Sequence, residues 1–143
     1  MAIFSKTVTH LSNANQPYLR LDGAQSDADY VDIGDSNSLP VKYGSYYSIE
    51  GWIYAYDSNS GGCIFGDESG NNDYIRLQIF AEGSDDGKLR FAGHTQSPNQ
   101  YNWTIMSSNN AIVSNKWHHI CAVLDRKVSG NCKIYIDGID KTE

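Results

Sequence analysis

Apolar and polar residues alternate along several stretches of the chain, and this alternation predicts β-strands. Between Tyr46 and Tyr56 the odd positions are mostly apolar, whereas the even positions carry aromatic and polar side chains. The same period of two recurs in the ranges Tyr74–Phe80 and Lys88–His94. Because neighbouring side chains on a strand point to opposite faces, we expect a sheet with an aliphatic inner face and an outer face that bears aromatic, Arg, Gln and His side chains.

Two apolar segments near the end of the chain predict a β-hairpin. Trp117–Leu124 is almost entirely apolar or aromatic, as expected for a strand that is covered on both faces. The charged range Arg126–Asn131 supplies a loop, and Cys132–Ile136 returns as the second strand. Asp137-Gly138 then predicts a tight turn with positive φ angles.

Further short strands are expected between turn-rich stretches, and no segment carries a convincing helical period. The pattern is typical of a sandwich or jelly roll. We therefore predict an all-β fold in which two antiparallel sheets pack as a β-sandwich. The additional strands are expected at Tyr18–Leu21, Tyr30–Ile33, Cys63–Gly66 and Tyr101–Met106.

Length and charge narrow the class of protein. A chain of 143 residues suits a single domain with a sizeable core. Its formal net charge of −6 disfavours general binding to a phosphate backbone. No apolar run is long enough to insert into a membrane. The N-terminal residues do not resemble a secretory signal, which leaves three alternatives: another route of release, a processed or incomplete sequence, or a virion protein that needs no signal.

Three cysteines, Cys63, Cys121 and Cys132, have no metal-ligand spacing, and their odd number disfavours a full disulfide framework. Cys121 and Cys132 would face each other if the hairpin turned at Arg126-Lys127. The turn signal at Ser129-Gly130 instead places them out of register. We favour buried free thiols that pack as small apolar groups.

Five segments in this order resemble a laminin-G-like jelly roll of the concanavalin A-like lectin/glucanase superfamily. The ordered set is specific although no single motif is. The resemblance covers residues 18–143, leaving residues 1–17 as an N-terminal arm, and it implies two antiparallel sheets, one of them concave. The segments are YVDIG at Tyr30–Gly34, YSIEGWIY at Tyr47–Tyr54, GKLRF at Gly87–Phe91, KWHHICAV at Lys116–Val123 and KIYIDG at Lys133–Gly138.

The chain departs from the family pattern after the Asp137-Gly138 turn, where several more strands normally follow. Their absence would leave an open sheet edge. We consider a truncated sequence first and completion by another chain, through strand exchange or oligomer formation, second. A shortened variant of the fold is the remaining alternative.

The sequence offers little support for catalysis. Glycosidases of the wider superfamily alternate Glu and Asp on one strand, and retaining hydrolysis needs two carboxyls about 5–5.5 Å apart. Glu50 stands alone on its strand. His118 and His119 are adjacent, so they point to opposite faces and cannot act together. One of them is expected to be a hydrogen-bonded core histidine, which agrees with the structural role that the resemblance implies. We predict that the protein is not an enzyme.

No cofactor is expected, and calcium is the one metal considered. Some laminin-G-like domains bind Ca²⁺ at the sheet rim through Asp side chains and loop carbonyls, so the resemblance makes Asp32 and Asp35 the candidates. The acidic groups of this chain lack the spacing of a known calcium loop. Acidic residues in turns are usually turn formers.

The predicted outer face is the candidate binding surface. Aromatic rings stack on the apolar side of a sugar, and Arg and Gln supply hydrogen-bond donors. We expect one surface formed by Trp52, Tyr54, Tyr74, Arg76, Gln78, Arg90 and His94. The alternative is that a loop or a neighbouring subunit covers these rings.

These observations predict a non-catalytic recognition or adhesion module on an extracellular or virion surface. Its expected partner is a glycan, as for a lectin, and its setting is a virus or phage fibre or a decoration protein. The alternative is a structural assembly or protein-interaction module with no glycan affinity. Neither nucleic-acid binding nor membrane insertion is expected.

Overall fold

Every regular element of substantial length in the described part of the chain is a β-strand. The computed structural model describes residues 3–5, 30–32, 46–69, 73–80, 86–95, 101–125, 128 and 131–143. Within these residues there is no helix long and apolar enough to traverse a lipid bilayer. The strands are β1 (Ile3–Ser5), β2 (Tyr30–Asp32), β3 (Tyr46–Ala55), β4 (Gly62–Ser69), β5 (Asp73–Phe80), β6 (Lys88–Thr95), β7 (Tyr101–Met106), β8 (Lys116–Asp125), β9 (Lys133–Ile136) and β10 (Ile139–Asp140).

The chain divides into two compact units, Met1–Leu39 and Pro40–Glu143. In the first unit β1 pairs antiparallel with β2, and Phe4 lies opposite Val31. β2 confirms the strand predicted from Tyr30, whereas the strand predicted at Tyr18–Leu21 lies outside the described residues. A boundary between residues 17 and 18 stays a prediction.

The second unit contains two four-stranded antiparallel sheets. We call the sheet with strand order β10-β9-β8-β3 the first sheet, and the sheet with order β4-β5-β6-β7 the second sheet. The predicted strands of this unit are all present, and β7 has the predicted bounds. Alternation predicts these strands because the face of each sheet that is turned toward the core carries the apolar side chains. The two sheets form the predicted β-sandwich.

The core lies between the two sheets. One hydrophobic cluster joins Leu77 and Phe91 of the second sheet to Ile120 and Ile134 of the first. Tyr47 on β3 packs its ring edge-on against Phe91, with 5.8 Å between the ring centroids. This contact spans the two layers, and such aromatic pairs contribute about 0.5–1.5 kcal/mol beyond the area that they bury.

β8 is not covered on both faces, so that expectation is wrong. Its burial alternates: Ile120 and Ala122 are buried, whereas Cys121 and Val123 are half-buried. The run looks continuous because the outward positions also hold apolar residues such as Cys and Val. These side chains are flanked by neighbouring strands of the same sheet. Cys121, for example, lies between its partners on β3 and β9 in the first sheet.

The predicted turn after β9 is confirmed. Asp137 and Gly138 have φ angles of 53° and 77°, and they connect β9 to β10. Gly tolerates such angles freely, and Asp is among the few other residues that adopt them readily.

All three cysteines are free, as predicted, but only Cys132 is buried: Cys121 is half-buried and Cys63 is exposed, so the expectation of burial is wrong for those two. The register places Cys121 opposite Tyr135 rather than Cys132.

Two features of the core were not foreseen. Lys88 alternates with Leu89 on β6 and so falls on the predicted outer face, but it is only 8% exposed and its Nζ atom lies 2.8 Å from Oε2 of Glu143. The segment between β7 and β8 contributes the buried Ile112 and Ser107. The Ser107 hydroxyl accepts a hydrogen bond from the Leu89 backbone N–H, with 2.8 Å between the heavy atoms. A polar group can therefore be buried there without an unmet hydrogen bond.

Candidate functional site

The structure divides the seven predicted site residues between the two sheets. Trp52 and Tyr54 lie on β3 of the first sheet, whereas the other five lie on β5 and β6 of the second. The outer faces of two stacked sheets point away from each other. The expectation of one shared surface is therefore wrong, and the two faces are separate candidates.

The outer face of the second sheet is polar and half-buried. Gln78 lies opposite Arg90, and the guanidinium carbon of Arg90 is 5.0 Å from the ring centroid of Phe80. This distance suits a cation–π contact, which already occupies one side of the guanidinium. Arg76 and His94 are also half-buried, and the side chain of Tyr74 lies outside the described residues.

On the first sheet, rings from two neighbouring strands form a contiguous group. The register places Trp52 opposite His119, with 5.2 Å between ring centroids, and Tyr54 opposite Trp117, with 5.5 Å. Tyr56 follows β3 directly, and its ring centroid is 5.0 Å from that of Tyr54. We call these five residues, Trp52, Tyr54, Tyr56, Trp117 and His119, the aromatic cluster.

The aromatic cluster is open to solvent. Trp52 is 66% exposed, Tyr56 52% and Trp117 43%. Single exposed apolar side chains are normal, but a contiguous apolar patch usually marks a contact surface. Its rings support one another edge to face, so a ligand that stacks on them meets side chains that are already ordered. This arrangement lowers the entropic cost of binding.

Three members of the aromatic cluster were not among the predicted site residues. A period of two on β8 places Trp117 and His119 on the face opposite to that of His118. The missing information was that β8 pairs with β3 over the whole length of both strands. This pairing joins segments about sixty residues apart in the sequence, and no local pattern specifies it.

Buried polar contacts fix the β8 backbone beneath the aromatic cluster. His118 is 2% exposed, and its Nε2 accepts a hydrogen bond of 3.0 Å from the Val113 N–H. This confirms the prediction of one hydrogen-bonded core histidine. Asp137 accepts a 3.0 Å hydrogen bond from the His119 backbone N–H, and the Asp137 N–H donates to the His119 carbonyl at 2.8 Å. His119 is therefore held from the side of the β9–β10 turn.

Metal-ligand groups are absent from the part of the chain that the structure describes: no three His, Cys, Asp or Glu side chains come together there. Asp32 belongs to β2, with its side chain outside the described set, and Asp35 lies outside that set altogether. The expectation of no cofactor, with Asp32 and Asp35 as weak candidates for Ca²⁺, stays a prediction.

Comparison with known proteins agrees with the observed sheets. The family model for a laminin G-like domain, described as the concanavalin A-like lectin/glucanases superfamily, matches residues 21–143. No curated protein and no solved structure matches the chain. Domains of this family are generally non-enzymatic modules that bind glycans or proteins, and they are typically extracellular or displayed on a surface. The match spans most of the chain, so this protein belongs to the laminin G-like family of the concanavalin A-like superfamily.

Proposed function

We propose that the protein is a non-catalytic carbohydrate-binding module and that its aromatic cluster is the binding surface. The observation that carries the proposal is the exposure of Trp52, Tyr56 and Trp117 on one face of the first sheet. A sugar ring has an apolar side formed by C–H groups, and this side stacks on an aromatic ring. Polar groups at the edge of such a surface then provide the hydrogen bonds that fix orientation.

Rigid aromatic side chains suit this role energetically. Tyr and Trp offer a large contact area at a low cost in conformational entropy, because they rotate about few bonds. In the aromatic cluster, the contact between Tyr54 and Trp117 restricts this rotation further. Little of the favourable free energy of stacking a sugar on these rings would therefore be lost to the ordering of their side chains.

The carboxylates near the aromatic cluster support binding rather than hydrolysis. Glu50 is the one carboxylate on β3, and the exposed Asp57 lies seven positions further along the chain. At about 3.4 Å per residue these two carboxylates are too far apart to act on the same glycosidic bond. Cleavage of a glycosidic bond by the usual mechanisms needs a pair of carboxyls on either side of the bond. Asp137 lies at the end of β9, but its oxygens accept hydrogen bonds from His118 and from the His119 backbone. It is therefore engaged in holding the turn.

Glycan-array binding, followed by titration of the glycans that bind, tests the proposal. We expect Trp52→Ala and Trp117→Ala to weaken binding about tenfold or more, which corresponds to about 1.4 kcal/mol. Gln78→Ala is the matched control, because it removes a half-buried side chain from the outer face of the second sheet. Each variant is compared with the wild type by thermal melting. A blank array at high protein concentration, or equal losses for Gln78→Ala, would contradict the proposal.

The family also supports a setting for this activity. Laminin G-like domains are typically displayed on a surface. We therefore propose that the module is part of an adhesion protein. The specific setting that we propose is a virus fibre or a decoration protein. Immunogold labelling of intact particles or cells with an antibody against the domain tests it. Labelling of the interior alone would contradict surface display.

A second function is favoured by the position of β3. Among the described strands it pairs with β8 alone, and it is ten residues long. A strand of that length at a sheet edge can accept a strand from another chain. The alternative proposal is an assembly module without glycan affinity. Light scattering after size-exclusion chromatography tests it, since a concentration-independent monomer would contradict exchange of strands between copies.

A further inference from the structure

The rings on β3 form a row, and the length of that row bears on the size of the ligand. Trp52, Tyr54 and Tyr56 occupy alternate positions, and Tyr56 extends the row beyond Ala55, where the strand ends. At about 3.4 Å per residue, the distance from Trp52 to Tyr56 is roughly 14 Å. One pyranose ring cannot cover this row, whereas consecutive sugars of a linear chain can.

A carboxylate stands at each end of the row. Glu50 is exposed and lies two residues before Trp52, on the same face of β3. Asp57 is exposed and directly follows Tyr56. The Asn59 N–H donates a 2.9 Å hydrogen bond to Asp57 Oδ1, which holds this carboxylate in place. A hydrogen bond from Ser60, followed by that from Asn59, keeps the pKa of Asp57 below its usual value, so it is ionised at neutral pH.

Two described cations lie near this row, and both act on other carboxylates. Lys116 precedes Trp117, and its charge acts on Asp137, where it contributes to a lowered carboxyl pKa. Lys133, on β9 of the same sheet, pairs with Asp140 at 3.0 Å. The whole chain also has a formal net charge of −6. An anionic sugar approaching the row would meet negative charge at both ends.

We infer that the ligand is an uncharged linear oligosaccharide that lies along β3 over Trp52, Tyr54 and Tyr56, and that Glu50 and Asp57 exclude anionic glycans. This inference rests on the proposed function and adds the class and length of the ligand.

Calorimetric titration of the whole chain with neutral and anionic glycans tests the inference. The neutral probes are linear gluco-, manno- and galacto-oligosaccharides from the monosaccharide to the hexasaccharide. The anionic probes are sialyllactose and a heparin-derived hexasaccharide. We expect affinity for one neutral series to rise by about tenfold or more from monosaccharide to trisaccharide and to be unaffected by salt, because no ion pair forms. We expect no binding of the anionic probes.

The double variant Glu50→Gln/Asp57→Asn separates charge from shape. Asn at position 57 keeps the side-chain oxygen that accepts from Asn59. We expect the double variant to bind the neutral glycan within about twofold of the wild type and to gain measurable, salt-sensitive affinity for the heparin-derived probe. Wild-type binding of an anionic probe, or equal affinity for monosaccharide and hexasaccharide, would overturn the inference and leave the proposed function standing. No binding of any probe would overturn both.

Discussion

The Nδ1 atom of His118 lies 2.8 Å from Oδ2 of Asp137, which links the interior of β8 to the turn between β9 and β10. The other ring nitrogen of His118 accepts a hydrogen bond from the Val113 N–H. Nδ1 must therefore carry the ring proton of the neutral imidazole and donate it to the carboxylate. One buried side chain thus joins the segment before β8, β8 itself and the β9–β10 hairpin. The aromatic cluster lies on the other face of this strand.

Replacing the carboxylate of Asp137 tests this link. We expect Asp137→Asn to lower the free energy of unfolding by about 1–3 kcal/mol at neutral pH. Asn offers one acceptor oxygen to two donors, so either the His118 Nδ1–H or the His119 backbone N–H loses its acceptor. Asn retains the ability to adopt the φ angle of 53° that this turn requires. Glu50→Gln, which removes an exposed carboxylate from β3, should change stability by less than about 0.5 kcal/mol. Urea denaturation measures both, and equal stability of Asp137→Asn and wild type would contradict the link.

The same contact predicts a dependence on pH. The hydrogen bond from His118, with a further contribution from the His119 N–H, holds the pKa of Asp137 below its ordinary value of 3.8. A carboxyl with a lowered folded-state pKa stabilises the native state fully above its unfolded-state pKa, and this stabilisation is lost as the pH falls through the folded-state value. The stability difference between wild type and Asp137→Asn should therefore be constant from neutral pH down to about pH 4 and then decrease. A difference that persisted unchanged into stronger acid would refute this assignment.

Gly93 predicts a steric effect in the core. The Trp103 ring lies so close that a Cβ atom on Gly93 would be 2.5 Å from two ring carbons. Trp103 also packs edge-on against Phe91, with 4.9 Å between ring centroids, so it has little freedom to retreat. We expect Gly93→Ala to destabilise the domain by about 1–3 kcal/mol, as other overpacked cores do.

Gly62→Ala is the control for that substitution, because a Cβ atom there meets nothing within 4 Å. It lies on β4 of the same sheet and should stay within about 0.5 kcal/mol of the wild type. Thermal melting and near-ultraviolet circular dichroism of both variants measure the effect. A Gly93→Ala variant as stable as Gly62→Ala, with an unchanged Trp spectrum, would show that the ring moves at no cost.

For calcium, we expect no effect on stability. Asp32 is the last residue of β2, and Asp35 follows in a stretch of sequence rich in turn-forming residues. The melting temperature should therefore be the same with Ca²⁺ in excess and with a chelator, and Mg²⁺ serves as the control for ionic strength. A native-state calcium site would raise the melting temperature with Ca²⁺ concentration. If such an increase occurred and Asp32→Asn or Asp35→Asn abolished it, the expectation would be wrong.

The binding face shows where prediction from sequence reached its limit. The alternation around Trp52 and Tyr54 correctly indicated that these two rings share one face of β3, because side-chain direction on a strand is a local property. The same reasoning grouped them with Arg76 and Arg90, which lie on the other sheet. Alternation states which residues share a face of one strand, but it does not state which strands are neighbours. Hydrogen bonding between distant segments decides that question.

Buried polar groups show a second limit. Lys88 and Ser107 are polar residues whose burial the alternation pattern does not predict, yet both are buried with hydrogen-bond partners from segments remote in the chain. Burial of such groups is acceptable only when a partner is supplied. The partners, Glu143 and the Leu89 backbone, become neighbours only after the sheets have formed.

The sequence by itself determined strands β2 to β9, the Asp137-Gly138 turn, the free thiols and the family, because each depends on residues that are close together in the chain or on their order. Only the tertiary structure decided that β3 pairs with β8, so that Trp117 and His119 join Trp52 and Tyr54 on one face. That pairing depends on how the inner faces of all the strands fill one core, which is a property of the whole domain and not of any single segment.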